Sequence, residues 1–134
     1  MPRAWVWAPT NIPPKCKLSK WQKEGLRAEA DRFVAEFYRA GIKAPPKKPQ
    51  SNYIVGYSTK WHGSYLQFIA HYLCPGPNAL SPSFEIAFAR LGYFTSDSWN
   101  IWARRHNDEW MVLGRRMTLK ECFREMRSNP WFHH

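Results

Sequence analysis

The chain has 134 residues, with 20 Lys/Arg against 10 Asp/Glu and 16% aromatic side chains, 8 of them Trp. That length suits one domain with its own core, and the aromatic load excludes a disordered chain. No run reaches the roughly 18 apolar residues that a membrane helix needs, and three scattered cysteines, Cys16, Cys74 and Cys122, argue against a disulfide framework.

The reading is a single domain over 1–134, with an extended arm at 1–18 and a Pro/Lys linker at 43–51. The arm holds four Pro and carries Trp5 and Trp7, which are costly to leave in water. Its short apolar patch is broken by Pro9 and shows no secretory signal, so the expected location is cytoplasmic. "SKWQKEGLRAEADRFVAEFYRAGI" predicts a helix over 19–42. Ser19 and Gln22 match a capping box, and Leu26, Ala30, Phe33, Val34, Phe37 and Tyr38 recur on one face. Gly41 and the prolines of "KAPPKKPQ" end it.

From Asn52 the apolar period changes to two. "NYIVGYS" reads as a strand, "KWHG" as a turn, "SYLQFIAHYL" as a second strand and "FEIAFARLGYF" as a third. "SWNIWARR" and "EWMVL" form a hairpin around His106, Asn107 and Asp108. "TLKECFREMRSN" opens on a second capping box, Thr118 and Glu121, presents Leu119, Cys122, Phe123 and Met126 on one face, and stops at Pro130. The fold class is α+β: an N-terminal helix, about five antiparallel strands in a meander, and a short C-terminal helix. Both helices cover one sheet face.

The hairpin leaves its register open. With a two-residue loop, Trp110 and Val112 share a face with Trp99, Ile101 and Ala103. A three-residue loop exchanges the faces of the partner strand. Either way both faces carry Trp, so Trp102 and Arg104 with their cross-strand neighbours form a candidate binding surface, unless the arm or a second protomer covers it.

The charge is unevenly placed. Residues 1–60 carry 12 basic and 4 acidic side chains, while 61–134 carry 8 and 6. Arg116, Lys120, Arg124 and Arg127 recur at near-helical spacing. With Arg104, Arg115 and the linker lysines Lys47 and Lys48 they could follow a phosphate backbone. Trp102, Trp61, Tyr65, Trp5, Trp7 and Trp131 are the aromatic candidates for base stacking, a ligand or an interface.

Catalytic and metal patterns are poorly represented. There is no G-x-S-x-G, phosphate-binding glycine loop or H-E-x-x-H. His71 and Cys74 form a lone H-x-x-C, short of the second ligand pair that zinc wants, with His62 and His106 at strand ends. Ser98, Asp97, His106 and Glu109 gather near the hairpin, where local backbone bonding is the simpler role. Cys74 beside His71 is a weak nucleophile candidate.

The segment 84–132, with Ala89-Arg90, Trp99, Trp102, Trp110 and the closing Trp131-Phe132, resembles DUF3024, a small bacterial family of unknown function. The resemblance covers about the last 50 residues and implies no activity, cofactor or site. The expectation is a non-enzymatic binding protein without cofactor, metal or membrane, acting on nucleic acid or an acidic protein. The alternative is a homodimeric interaction module, or a small-ligand binder using the aromatic sheet face. A product of a mobile gene cassette fits either reading.

Overall fold

The computed structural model describes residues 18–42, 52–75, 82–95, 97–105 and 108–133. The arm with Trp5, Trp7 and Cys16, the linker with Lys47 and Lys48, and His106 lie outside these residues.

Helix α1 spans Lys20–Phe33, and its capping box is formed in both directions: Gln22 N–H donates to Ser19 Oγ, and Ser19 N–H to Gln22 Oε1. The helix then widens into a π turn, Val34–Tyr38, in which Arg39 N–H reaches the Val34 carbonyl, and closes with a 3-10 turn at Arg39–Gly41. The extra residue in the wide turn turns Val34 and Tyr38 inward together with Phe33.

Five antiparallel strands follow in simple order: β1 Tyr53–His62, β2 Tyr65–Leu73, β3 Ser83–Thr95, β4 Ser98–Arg104 and β5 Trp110–Met117. The meander is as expected, but its first turn moves. Lys60, Trp61 and His62 continue β1 and pair with Gln67, Leu66 and Tyr65. Gly63 at φ 60 takes the left-handed position in the two-residue loop that remains. Helix α2, Leu119–Ser128, has a complete Thr118/Glu121 capping box, and a 3-10 turn at Pro130–Phe132 ends the described chain's regular structure. Pro130 therefore stops one helix and starts a shorter one, where its missing N–H costs nothing.

Alternation decides what each strand buries. On β1, Tyr57 and Thr59 are buried and Trp61 is half-buried toward α1. Trp61 Nε1 donates to the Lys23 carbonyl (3.0 Å), and Thr59 Oγ1 to Asp31 Oδ1 (2.6 Å). Arg39 donates from Nη2 and Nε to the Tyr57 carbonyl (3.0 and 3.3 Å). The helix thus descends β1 one bonded pair at a time. Leu66 and Phe68 of β2, Leu91 of β3, and Trp99, Ile101 and Ala103 of β4 complete the floor of the core. Leu119, Cys122 and Met126 of α2 close it from above. Gly114 opposes Ile101 on β5, and a side chain there would collide with Ile101 and Met117.

The hairpin resolves to the longer loop. Arg104 pairs with Trp110, Ala103 with Met111 and Trp102 with Val112. Arg105 N–H donates to the Glu109 carbonyl, and Asp108 sits at φ 65. Leu113 and Met117 therefore join the core, while Trp110 lies on the other face with Trp102. Before β4, Asp97 at φ 56 uses one oxygen to accept from Trp99 Nε1 (2.9 Å) and Leu119 N–H (3.1 Å). That carboxylate ties the β3–β4 turn to the start of α2.

Two buried groups generate predictions. Tyr38 OH donates to the Phe132 carbonyl (2.9 Å) across 94 positions of sequence, and burial holds its phenol well above the ordinary range. Tyr38→Phe leaves that carbonyl unpaired and should lower stability by about 1–3 kcal/mol in urea unfolding, with the slope unchanged. Burial first, then Asp97, Glu121 and Glu125, push the Cys122 thiol up from 9.0 to about 12. The folded chain holds this proton more tightly than the unfolded one. Its stabilisation is full below about pH 9 and is lost as pH rises toward about 12. The alkaline decline of the urea midpoint should be shallower in Cys122→Ala.

Candidate functional site

Helices α1 and α2 lie side by side, and a groove of about 450 Å³ runs between them. Its floor is aromatic. Phe33 and Phe123 stack at 4.5 Å with ring planes 8° apart, and Phe37 continues the row from Phe33 at 5.8 Å. Lys120, Arg124 and Arg127 line one wall, as positions i, i+4 and i+7 of a helix must. Arg32 of α1 faces them, with Glu29 and Glu36 on the same side. Four cations against two carboxylates leave the groove a formal charge of +2.

Arg127 is the most firmly placed of these cations. Its guanidinium lies 5.3 Å from the Phe33 ring and 5.6 Å from Phe37, with Glu36 at 4.0 Å. A guanidinium held at this distance from ring faces is attracted to them and keeps N–H groups for an acceptor. Lys120 and Arg124 are exposed. The spacing of α2 pointed to Lys120, Arg124 and Arg127. Arg32 went unremarked because its own helix is nearly neutral, and the two helices lie far apart in sequence.

The other candidates are dispersed. Arg115 and Arg116 are exposed at the end of β5, where Arg116 takes φ 53 and gives its N–H to Asn100 Oδ1. Arg104 is half-buried, 3.4 Å from Asp108, and lines a separate groove of about 440 Å³ with Trp131. Trp131 is 48% exposed. Trp61 is held by Lys23, whose ammonium lies 5.1 Å from the ring. Trp21, unremarked in the sequence, is 84% exposed over a third groove that Leu26, Tyr93 and Trp99 also line.

The aromatic sheet face differs most from its expected form. Trp102 is fully buried, so it offers no ring surface for stacking. Arg90, cross-strand from Trp102, places its guanidinium 4.1 Å from the Tyr65 ring, 4.5 Å from Trp110 and 4.9 Å from Trp102. Burial lowers the Arg90 pKa and raises that of Tyr65, and the neighbouring charge of each opposes its shift. These rings enclose a cation that the chain itself supplies. The single Arg of β3, flanked by Ala89 and Leu91 and followed by a Trp-rich hairpin, was the available signal.

The remaining chemistry candidates have local roles. Asp97 is engaged as described, and Glu109 lies 4.0 Å from Arg105. Cys74 N–H closes the β2–β3 connection onto the Pro82 carbonyl. Among the described residues no three His, Cys, Asp or Glu side chains gather as a metal site, and no helix is long and apolar enough to cross a membrane. His133 Nε2 donates to the Met126 and Arg127 carbonyls at the end of α2.

The family model described as Domain of unknown function (DUF3024) matches residues 18–134, so the likeness reaches well beyond the last 50 residues and includes α1. No curated protein and no solved structure matches.

The burial of Trp102 yields a test. Trp102→Ala should cost about 3–5 kcal/mol, as the loss of a large buried ring does. Urea unfolding reads that loss, and a change below about 1 kcal/mol would mean that the ring is not packed as described.

Proposed function

The chain belongs to the DUF3024 family, and on that premise we propose that it binds nucleic acid along the groove between α1 and α2. One observation carries the reading: Lys120, Arg124 and Arg127 meet Arg32 over the stacked rings of Phe33 and Phe123. Phosphate oxygens suit the guanidinium edges of this wall, and the apolar floor suits the sugar and base faces between phosphates. The groove has the volume of a small-ligand site, which fits a single strand lying in it better than a duplex. Glu29 and Glu36 limit its net charge, so affinity at physiological salt is moderate and depends on shape as well as charge.

A second reading rests on Trp21 and Trp131, which present exposed rings away from this groove. Rings of that kind are common anchors of protein interfaces, and self-association through them would leave the basic groove a solvated face.

Fluorescence anisotropy of labelled single- and double-stranded oligonucleotides across a salt series separates the two. The expected result is saturable single-strand binding whose logarithm falls linearly with the logarithm of salt. Arg124→Gln/Arg127→Gln, which keeps part of each stem over the rings, should reduce that slope by about 1.4, or 0.7 for each phosphate no longer neutralised. No binding at low salt, or an unchanged slope in the double variant, would remove the proposal. Sedimentation of the same samples then reports whether the chain self-associates.

A further inference from the structure

The sheet face turned away from the helices brings three side chains from three adjacent strands into one line, a hydrogen bond followed by an ion-pair contact. Ser58 Oγ on β1 lies 2.7 Å from His71 Nε2 on β2, and His71 Nδ1 lies 3.2 Å from Glu85 Oε2 on β3. His71 and Glu85 are direct cross-strand partners, and Gly56 is the partner of His71 on the other side. With no side chain at Gly56, Ser58 reaches the ring diagonally. Ser58 is half-buried, while the His71 and Glu85 side chains are 34% and 58% exposed, so the line is open to a reactant.

The order of donors follows from the chemistry of the groups. A carboxylate oxygen 3.2 Å from Nδ1 favours the tautomer that carries the imidazole proton there. In that tautomer Nε2 is the acceptor and the Ser58 hydroxyl is the donor. A hydroxyl bonded to a base, which a carboxylate orients in turn, is the arrangement that activates serine nucleophiles on unrelated folds. We propose that Ser58 is an activated nucleophile toward small, activated esters, with His71 as its general base and Glu85 as the positioning residue.

In the acylation step Ser58 Oγ bonds to the ester carbonyl carbon and its proton passes to His71 Nε2. The tetrahedral adduct then collapses, its bond to the leaving oxygen breaks, and that oxygen takes the proton from Nε2. Water attacks the acyl-serine by the same route, giving the carboxylic acid and restoring the hydroxyl. Base assistance of this kind contributes a factor on the order of 10²–10⁴. An open sheet face selects small acyl groups rather than long chains. This activity is independent of the α1–α2 groove.

The test is labelling with a small alkyl fluorophosphonate. Ser58 Oγ displaces fluoride from phosphorus, and the added mass is located by peptide mapping. The expected adduct forms on Ser58, is absent in Ser58→Ala, and forms about 10²-fold more slowly in His71→Ala. Free imidazole should restore the rate of His71→Ala, and formate that of Glu85→Ala, which no purely structural role explains. A burst of nitrophenolate from p-nitrophenyl acetate, one per chain and lost in Ser58→Ala, should accompany it. No adduct on Ser58, or an adduct formed at full rate in His71→Ala, would overturn the proposal. Unchanged thermal midpoints in the variants keep unfolding apart from lost chemistry.

Discussion

Two helices from opposite ends of the chain meet at a stacked ring pair, Phe33 on Phe123, and much of the architecture depends on that contact. The sheet supplies a broad apolar face, but neither helix is wide enough to cover it alone. Side by side they cover it, and the stacked rings set how close they come. The same closeness brings Arg32 within one groove of Lys120, Arg124 and Arg127, so a packing requirement also concentrates charge. Tyr38 adds a second tie between the chain ends through the Phe132 carbonyl.

The opposite face solves a different problem. A guanidinium carried to the middle of a sheet loses most of its hydration, and the buried position of Arg90 imposes that loss. Tyr65, Trp102 and Trp110 offset part of it through their ring faces, and the T-shaped contact of Tyr65 with Trp102 holds the enclosure in shape. Tryptophan density in this chain therefore serves two unlike environments: Trp99 fills the core under the helices, and Trp102 and Trp110 surround a cation.

Much of the fold was legible because its signals are local. Both capping boxes lie within four residues, and the strand segments alternate cleanly enough to give the meander and the number of strands. The hairpin faces were not legible, since one residue of loop length exchanges them and both registers bury Trp99, Ile101 and Ala103. The first turn was misplaced because "KWHG" resembles a loop in composition. Only the bonds of Trp61 to α1 show why Lys60–His62 stay extended. Of the groove, the three cations of α2 were visible as a helical stripe. Arg32 and the ring floor required knowing which helices are neighbours. The Ser58, His71 and Glu85 line left no trace, because its members belong to three strands and share no spacing.

An open meander has two outer strands, and each is a template on which another extended chain could build. On β1 the Arg39 side chain occupies the Tyr57 carbonyl, so an incoming strand finds a cation where it needs an acceptor. On β5 the left-handed turn at Arg116 and the adjacent Arg115 place irregular backbone and positive charge at the outer margin. The two ends of the sheet are thus guarded by charge and by shape against growing into fibrils. In a sheet this rich in aromatic side chains, arginines stand where the ladder would otherwise continue.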